Sequence, residues 1–257
     1  MLALIAVLGL TLPVLGQGPG TTATDNSAQP AQTPYTAEYK IIRVKNVTDG
    51  TAVTQESIEV IAMDSRGRQM TATTVLSNEH RAQTTSVLVY DPVAGTNTSW
   101  NTKMKRATVA ARLPNGSVGS HCFTTEAGDG PVILNTGVMM QRMVYEKGVT
   151  EDLGTETILG VEGHGHRITR TTPVGEIGSN KPHTCFFETW LANGIGPVGL
   201  VVREIDDDAE SGKMSKELVR LNMGEPNPDS FHPPKKYTIV KQQMREIPCQ
   251  YEGAPVQ

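Results

Sequence analysis

The stretch Asp152-Leu-Gly-Thr-Glu-Thr-Ile-Leu-Gly-Val161 decides the fold: an alternating run is cut by glycine and then resumes. The same grammar continues through Glu188-Thr-Trp-Leu191 to Glu225-Pro-Asn-Pro-Asp-Ser-Phe231 and Tyr237-Thr-Ile-Val240. Short apolar or alternating runs, each stopped by Gly, Pro, Asn or Asp, predict an antiparallel sheet whose strands follow one another through hairpins. This block supplies five expected strands, near 153–159, 161–172, 184–192, 198–206 and 214–223. Ser215–Leu221 can also be read as a helical turn.

Working back towards the N-terminus, Tyr35, Ala37, Tyr39 and Ile41 alternate with polar residues, and Ile42 and Val44 take the opposite phase. That slip predicts a β-bulge near Ile41-Ile42. Further strands are expected at 57–63, 69–76, 86–90, around Thr98-Ser-Trp100 and at 107–113. Residues 114–135 read as a loop. Val138, Met139, Met143 and Val144 recur at helical spacing and predict a short amphipathic helix over Gly137–Glu146. Gly and Pro number 25 and 16 in 257 residues, which suits many turns better than long helices.

Residues 1–16 read as a signal peptide. Leu2–Leu15 are almost wholly apolar and Val14-Leu15-Gly16 precedes Gln17 as a cleavage site. A bilayer span needs about 20 apolar residues, so this run is too short, and no transmembrane span is expected once it is removed. It lacks the usual basic opening, which leaves a late start site, an atypical signal or a buried N-terminal element as alternatives. Residues 17–34 are a Thr-, Gly- and Pro-rich flexible linker, 35–245 a single β-rich domain and 246–257 a C-terminal tail. The expected location is periplasmic or secreted. Cys122, Cys185 and Cys249 allow three pairings in an oxidising compartment, and spacing does not choose among them.

A formal charge of −4 without a basic stripe removes the electrostatic case for nucleic acid. Aromatic residues at 5% of the chain leave few stacking platforms for bases or sugars. Gly194-Ile-Gly-Pro-Val-Gly199 has the letters of a dinucleotide fingerprint. The residues after it, Leu200–Ile205, read as a strand where the motif requires a helix, so it is taken as a hairpin loop. The acidic run Asp206-Asp207-Asp208 is expected at a hairpin tip. No cofactor is expected.

The succession LGTETILGVEG…RITRTTPVGEIG…ETWLA…GLVVREIDDD…LVRLNMGEPNPDSFHPPKKYTIV, with VLVYDP at 87–92, resembles uncharacterised exported bacterial proteins. Their sheet in turn resembles the periplasmic lipoprotein-localisation carriers and the related envelope-stress sensor domains. The resemblance covers about residues 35–240. It implies a mainly β fold, a curved antiparallel sheet left open as a half-barrel, with one or a few short helices over an apolar concave face. In the carriers that face binds acyl chains.

These readings favour a non-catalytic envelope protein that binds a lipid, acyl chain or other apolar ligand in a groove. The candidate lining is Tyr39, Ile41, Val87, Val89, Trp100, Met143, Phe187, Trp190 and Val201. The alternative is an interaction or sensor domain that binds an envelope protein through loops such as 114–135 and 193–199. A third reading is a metal-dependent enzyme centred on His164 and His166, since residues two apart on a strand share a face. His121, His183 and Glu162 are the candidate third ligands.

Overall fold

β-Branched and aromatic residues at alternating positions, punctuated by turn residues, give two meanders in the computed structural model. It describes residues 33–47, 51–76, 83–111, 122–125, 148–175, 180–197, 199–208, 212–242 and 244–247, with the backbone alone at 122–125 and 244–247. The first meander comprises β1 (Tyr35–Asn46), β2 (Ala52–Met63), β3 (Gln69–Leu76), β4 (Thr84–Asp91), β5 (Thr96–Asn101) and β6 (Arg106–Ala111). The second comprises β8 (Val149–Ile158), β9 (Val161–Thr172), β10 (His183–Ala192), β11 (Leu200–Asp208) and β12 (Gly212–Met223). Between them lies β7 (Cys122–Thr125), and β13 (Thr238–Gln242) and β14 (Met244–Ile247) follow.

One 12-stranded sheet runs in the order β13-β6-β5-β4-β3-β2-β1-β12-β11-β10-β9-β8. β1 and β12 form the seam between the meanders, from Tyr35 opposite Met223 to Val44 opposite Lys213. The pairs are antiparallel except β13 with β6, which is parallel. The end strands β13 and β8 do not pair with each other, so the sheet is an unclosed half-barrel. β7 and β14 pair separately.

Several local expectations change. The bulge expected in β1 is instead in β12, where Val219 is the extra residue opposite Glu38/Tyr39; the ladder of β1 with β2 is continuous through Ile41 and Ile42. Ser215–Leu221 is strand, drawn into β12 by its pairing with β1. The expected loop 114–135 contains β7, and β14 crosses the expected start of the tail at 246. The helix over Gly137–Glu146 lies outside the described residues. The only helix among the described residues is a 3-10 turn, Pro228–Phe231, capped by the Asn227 side chain, which accepts from Asp229 N at 3.0 Å.

The apolar side of the sheet changes along its width. Tyr39, Glu59, Thr73, Ser86 and Asn101 stand opposite one another from strand to strand, so they share a face. Glu38, Val60, Ala72, Val87 and Trp100 form the next row and point to the other face. At β1 the Tyr39 face is buried: Tyr35, Ala37, Tyr39 and Ile41 join Met63, Trp190, Leu200, Val202 and Leu218 in the main core. At β3–β5 burial moves to the Trp100 face, where Phe231 covers Ala62, Met70 and Val89. The strap carrying Phe231 is tied down by Arg68, whose guanidinium lies 4.5 Å from the ring centroid and is held by Asp64 at 2.7 Å.

Candidate functional site

The register divides the expected groove residues. Tyr39, Ile41 and Trp190 are buried together in the main core. Val87, Val89 and Trp100 face the other way, packed in the smaller core under Phe231. Phe187 and Trp190 are three apart on β10 and point to opposite faces, and Val201 is half-buried between Leu200 and Val202. Met143 lies outside the described residues. The nine candidates therefore do not line one groove.

A cavity lies elsewhere, on the Tyr39 face of β3–β6. It is an open trough of about 580 Å³ with a floor of hydroxyls from Thr71, Thr73, Ser86, Ser99 and Thr108. Exposed Leu88 and Met104 give it apolar flanks, and Asn101 and Arg106 lie at the β5–β6 side. Val87 and Trp100 also border it, although the ladders direct them to the opposite face. Hydroxyls on a strand register alternate with the apolar row beneath, so one wall of the sheet serves both the small core and the trough.

The second meander is tighter. Trp190 stands opposite Gly165 and lies flat over it; a Cβ there would sit 2.7 Å from Cδ2 and Cε2 of the indole. At Gly163 a Cβ would come within 2.6 Å of Val202 Cγ2. These glycines admit side chains from neighbouring strands. The indole Nε1 donates to Glu188 Oε1 at 2.8 Å, and Arg167 Nη2 donates to Glu188 Oε2 at 2.7 Å. Burial pushes the Glu188 carboxyl up, but the Trp190 and Arg167 hydrogen bonds with the Arg167 charge outweigh it and hold it below the usual range. A carboxylate kept ionised and bound on both oxygens is a structural anchor, unsuited to shuttling protons. Arg203 braces the same face through Glu156, at 2.7 and 3.0 Å.

Two clusters gather metal-ligand side chains. His164 and His166 share a face of β9, with ring centroids 4.7 Å apart, as their spacing predicts. Their third neighbour is Asp152 on β8, missed in the sequence, with Oδ1 2.9 Å from His164 Nε2. Of the expected third ligands, Glu162 shares the face of β9 with the two histidines but is not among the gathered donors, and His121 lies outside the described residues. His183 gathers instead with Cys185 and Asp208, its Nε2 3.2 Å from Asp208 Oδ2. Cys185 is buried, Cys122 is described in its backbone alone, and Cys249 lies outside the described residues. The acidic run does sit at the β11–β12 hairpin, and 193–199 does form the β10–β11 connection.

No protein-family model matches the chain, and no curated protein does either. Among solved structures it is similar to MucB in complex with MucA(peri), at 13% identity and a TM-score of 0.39, covering 81% of this chain. The chain spans 57% of the length of that MucB chain. It is similar to LprF from Mycobacterium bovis at 12% identity and a TM-score of 0.33, covering 80% of this chain and 90% of that one. A LolA superfamily protein from Nitrosomonas europaea shows 10% identity and a TM-score of 0.29, over 78% and 90% of the two chains. Likeness at this level is to the run of the sheet alone. Among the described residues no helix is long and apolar enough to cross a membrane.

Proposed function

We propose that this is an exported, non-catalytic binding protein of the cell envelope whose ligand lies in the β3–β6 trough. The observation that carries the reading is the trough itself, whose volume of about 580 Å³ falls in the range of small-molecule sites. Its apolar flanks at Leu88 and Met104 suit an acyl chain, and Arg106 with the hydroxyl floor suits an anionic or hydroxylated head. The apolar run at Leu2–Leu15 supports export.

The chain has two tryptophans, Trp100 beside the trough and Trp190 in the main core. Trp190→Phe therefore leaves a single reporter at the site. Titration of that variant with a long-chain fatty acid is expected to give a saturable change in Trp100 emission. Leu88→Arg, at an exposed position, is expected to abolish the change with the fold intact. Native mass spectrometry of the mature chain from a bacterial periplasm is expected to show a few hundred daltons of bound lipid, lost in organic solvent. A bare polypeptide mass together with an unresponsive Trp100 would overturn the acyl-ligand reading and favour a protein partner.

A further inference from the structure

Away from the trough, the β8–β9 hairpin assembles a donor set that a binding protein of this kind does not need. We propose that Asp152, His164 and His166 form a binding site for one divalent transition metal ion of the zinc, cobalt or nickel class.

The local backbone builds the site. His164 and His166 stand on one face of β9, and the β8–β9 ladder shifts register between Asp152 and Gly154. Leu153 is the extra residue at that bulge, and its insertion sets Asp152 opposite His166. The Gly154 N–H donates to Asp152 Oδ1 at 2.8 Å and fixes the carboxylate's orientation. One donor atom from each side chain lies within 4.8 Å of the other two. Metal–ligand bonds of about 2.0–2.2 Å place donors around one ion roughly 3–3.5 Å apart, so small rotations of exposed side chains close the set.

Chemistry and surroundings agree with a cation. Two imidazoles and one carboxylate suit a borderline transition metal better than calcium or magnesium, which take oxygen ligands. The cross-strand neighbours on that face are Thr155 and Leu191 beside His164 and Thr189 beside His166, none of them basic. Arg167, one residue on, points to the other face and is held by Glu188. The side chains of Asp152 and His164 are 65% and 37% exposed, which leaves an entry path and room for water to complete the coordination. The cluster of His183, Cys185 and Asp208 is the weaker candidate for an ion: two of its three groups are buried, and Arg170 stands opposite Cys185.

The test uses the mature full-length chain, stripped with EDTA and titrated separately with Zn²⁺ and Co²⁺ by calorimetry and visible absorption. One ion per chain is expected. His164→Gln with His166→Gln, and Asp152→Asn alone, should each weaken binding about tenfold or more, while His183→Gln leaves it unchanged. Far-UV circular dichroism establishes that each variant keeps its sheet, and a double variant that failed to fold would leave Asp152→Asn to decide. The proposal is overturned by the absence of saturable uptake, or by uptake that His183→Gln abolishes and the β9 variants do not. Neither result touches the fatty-acid titration at the trough, so the two readings fail separately.

Discussion

In β9 and β10 a tryptophan lies on a strand bared by two glycines, its indole nitrogen on a carboxylate that also holds an arginine. In β3–β6 the corresponding open surface is rows of threonine and serine hydroxyls, backed by a small core with Phe231 as its cover. Both regions belong to one continuous sheet. The difference teaches where each can tolerate change. The first is specified by contacts that leave no spare volume, so it acts as a rigid frame. The second presents polar groups to an open trough, and its surface can accept a ligand without disturbing a packed interior.

The largest test is to add the same side chain to both regions. Gly165→Val forces a branched side chain into the Trp190 ring and is expected to cost about 2 kcal/mol or more in urea unfolding. Thr73→Val on the trough floor should stay within about 0.5 kcal/mol. Equal losses at the two sites would remove the contrast.

Next in size is Glu188→Gln, expected to destabilise by about 1.5–3 kcal/mol at neutral pH through loss of its charge-assisted bond from Arg167. The folded pKa of Glu188 lies below its ordinary 4.5, so its stabilisation is present above that value and is lost as pH falls through the folded value. Urea midpoints followed into the acid range should therefore drop less steeply in the variant than in the parent. Glu204 on β11 carries the opposite sign. Burial raises its carboxyl above the ordinary 4.5, Lys216 draws it down, and Asp206 and Glu59 push it up. Its contribution is present below about 4.5 and is lost as pH rises through the folded value, so Glu204→Gln should flatten the decline on the neutral side. A Glu204 variant that tracked the parent at every pH would show that folding does not raise that carboxyl.

The smallest expected effect lies in the β8–β9 hairpin, where Leu159 and Gly160 both adopt positive φ, at 51° and 79°. Such a two-residue turn favours Asn-Gly, and a leucine in the left-handed region is strained. Leu159→Asn should stabilise the protein by about 1 kcal/mol, read as a rise in Tm. It also sharpens the comparison, since a gain at an exposed turn residue would show that the rigid meander is held by its interior and not by its turns.

Much of this was legible from residue types. The period-two runs place β9 at Val161–Thr172 as expected, and the i, i+2 spacing puts His164 and His166 on one face. What periodicity does not carry is register. Tyr39 and Val87 are both apolar residues in alternating strands, yet unbroken ladders from β1 to β4 send them to opposite faces. Asp152 was missed for the same reason. A regular hairpin from the Leu159-Gly160 turn would set Leu153 opposite His166, and only the bulge substitutes the aspartate. The groups that approach Gly163 and Gly165, Val202 and Trp190, come from strands whose alignment no local pattern reports.

The β1–β12 seam has a consequence for the order in which the chain folds. Within each meander, every ladder joins neighbours in sequence, so those hairpins can zip from their own turns. Tyr35 meets Met223 only after nearly the whole chain has been made, and β13 closes onto β6 later still. The chain would thus hold two half-formed ribbons whose unpaired edges await each other. The step most exposed to misassociation is their docking along β1 and β12, and a chaperone guarding that seam would protect the union of the two meanders.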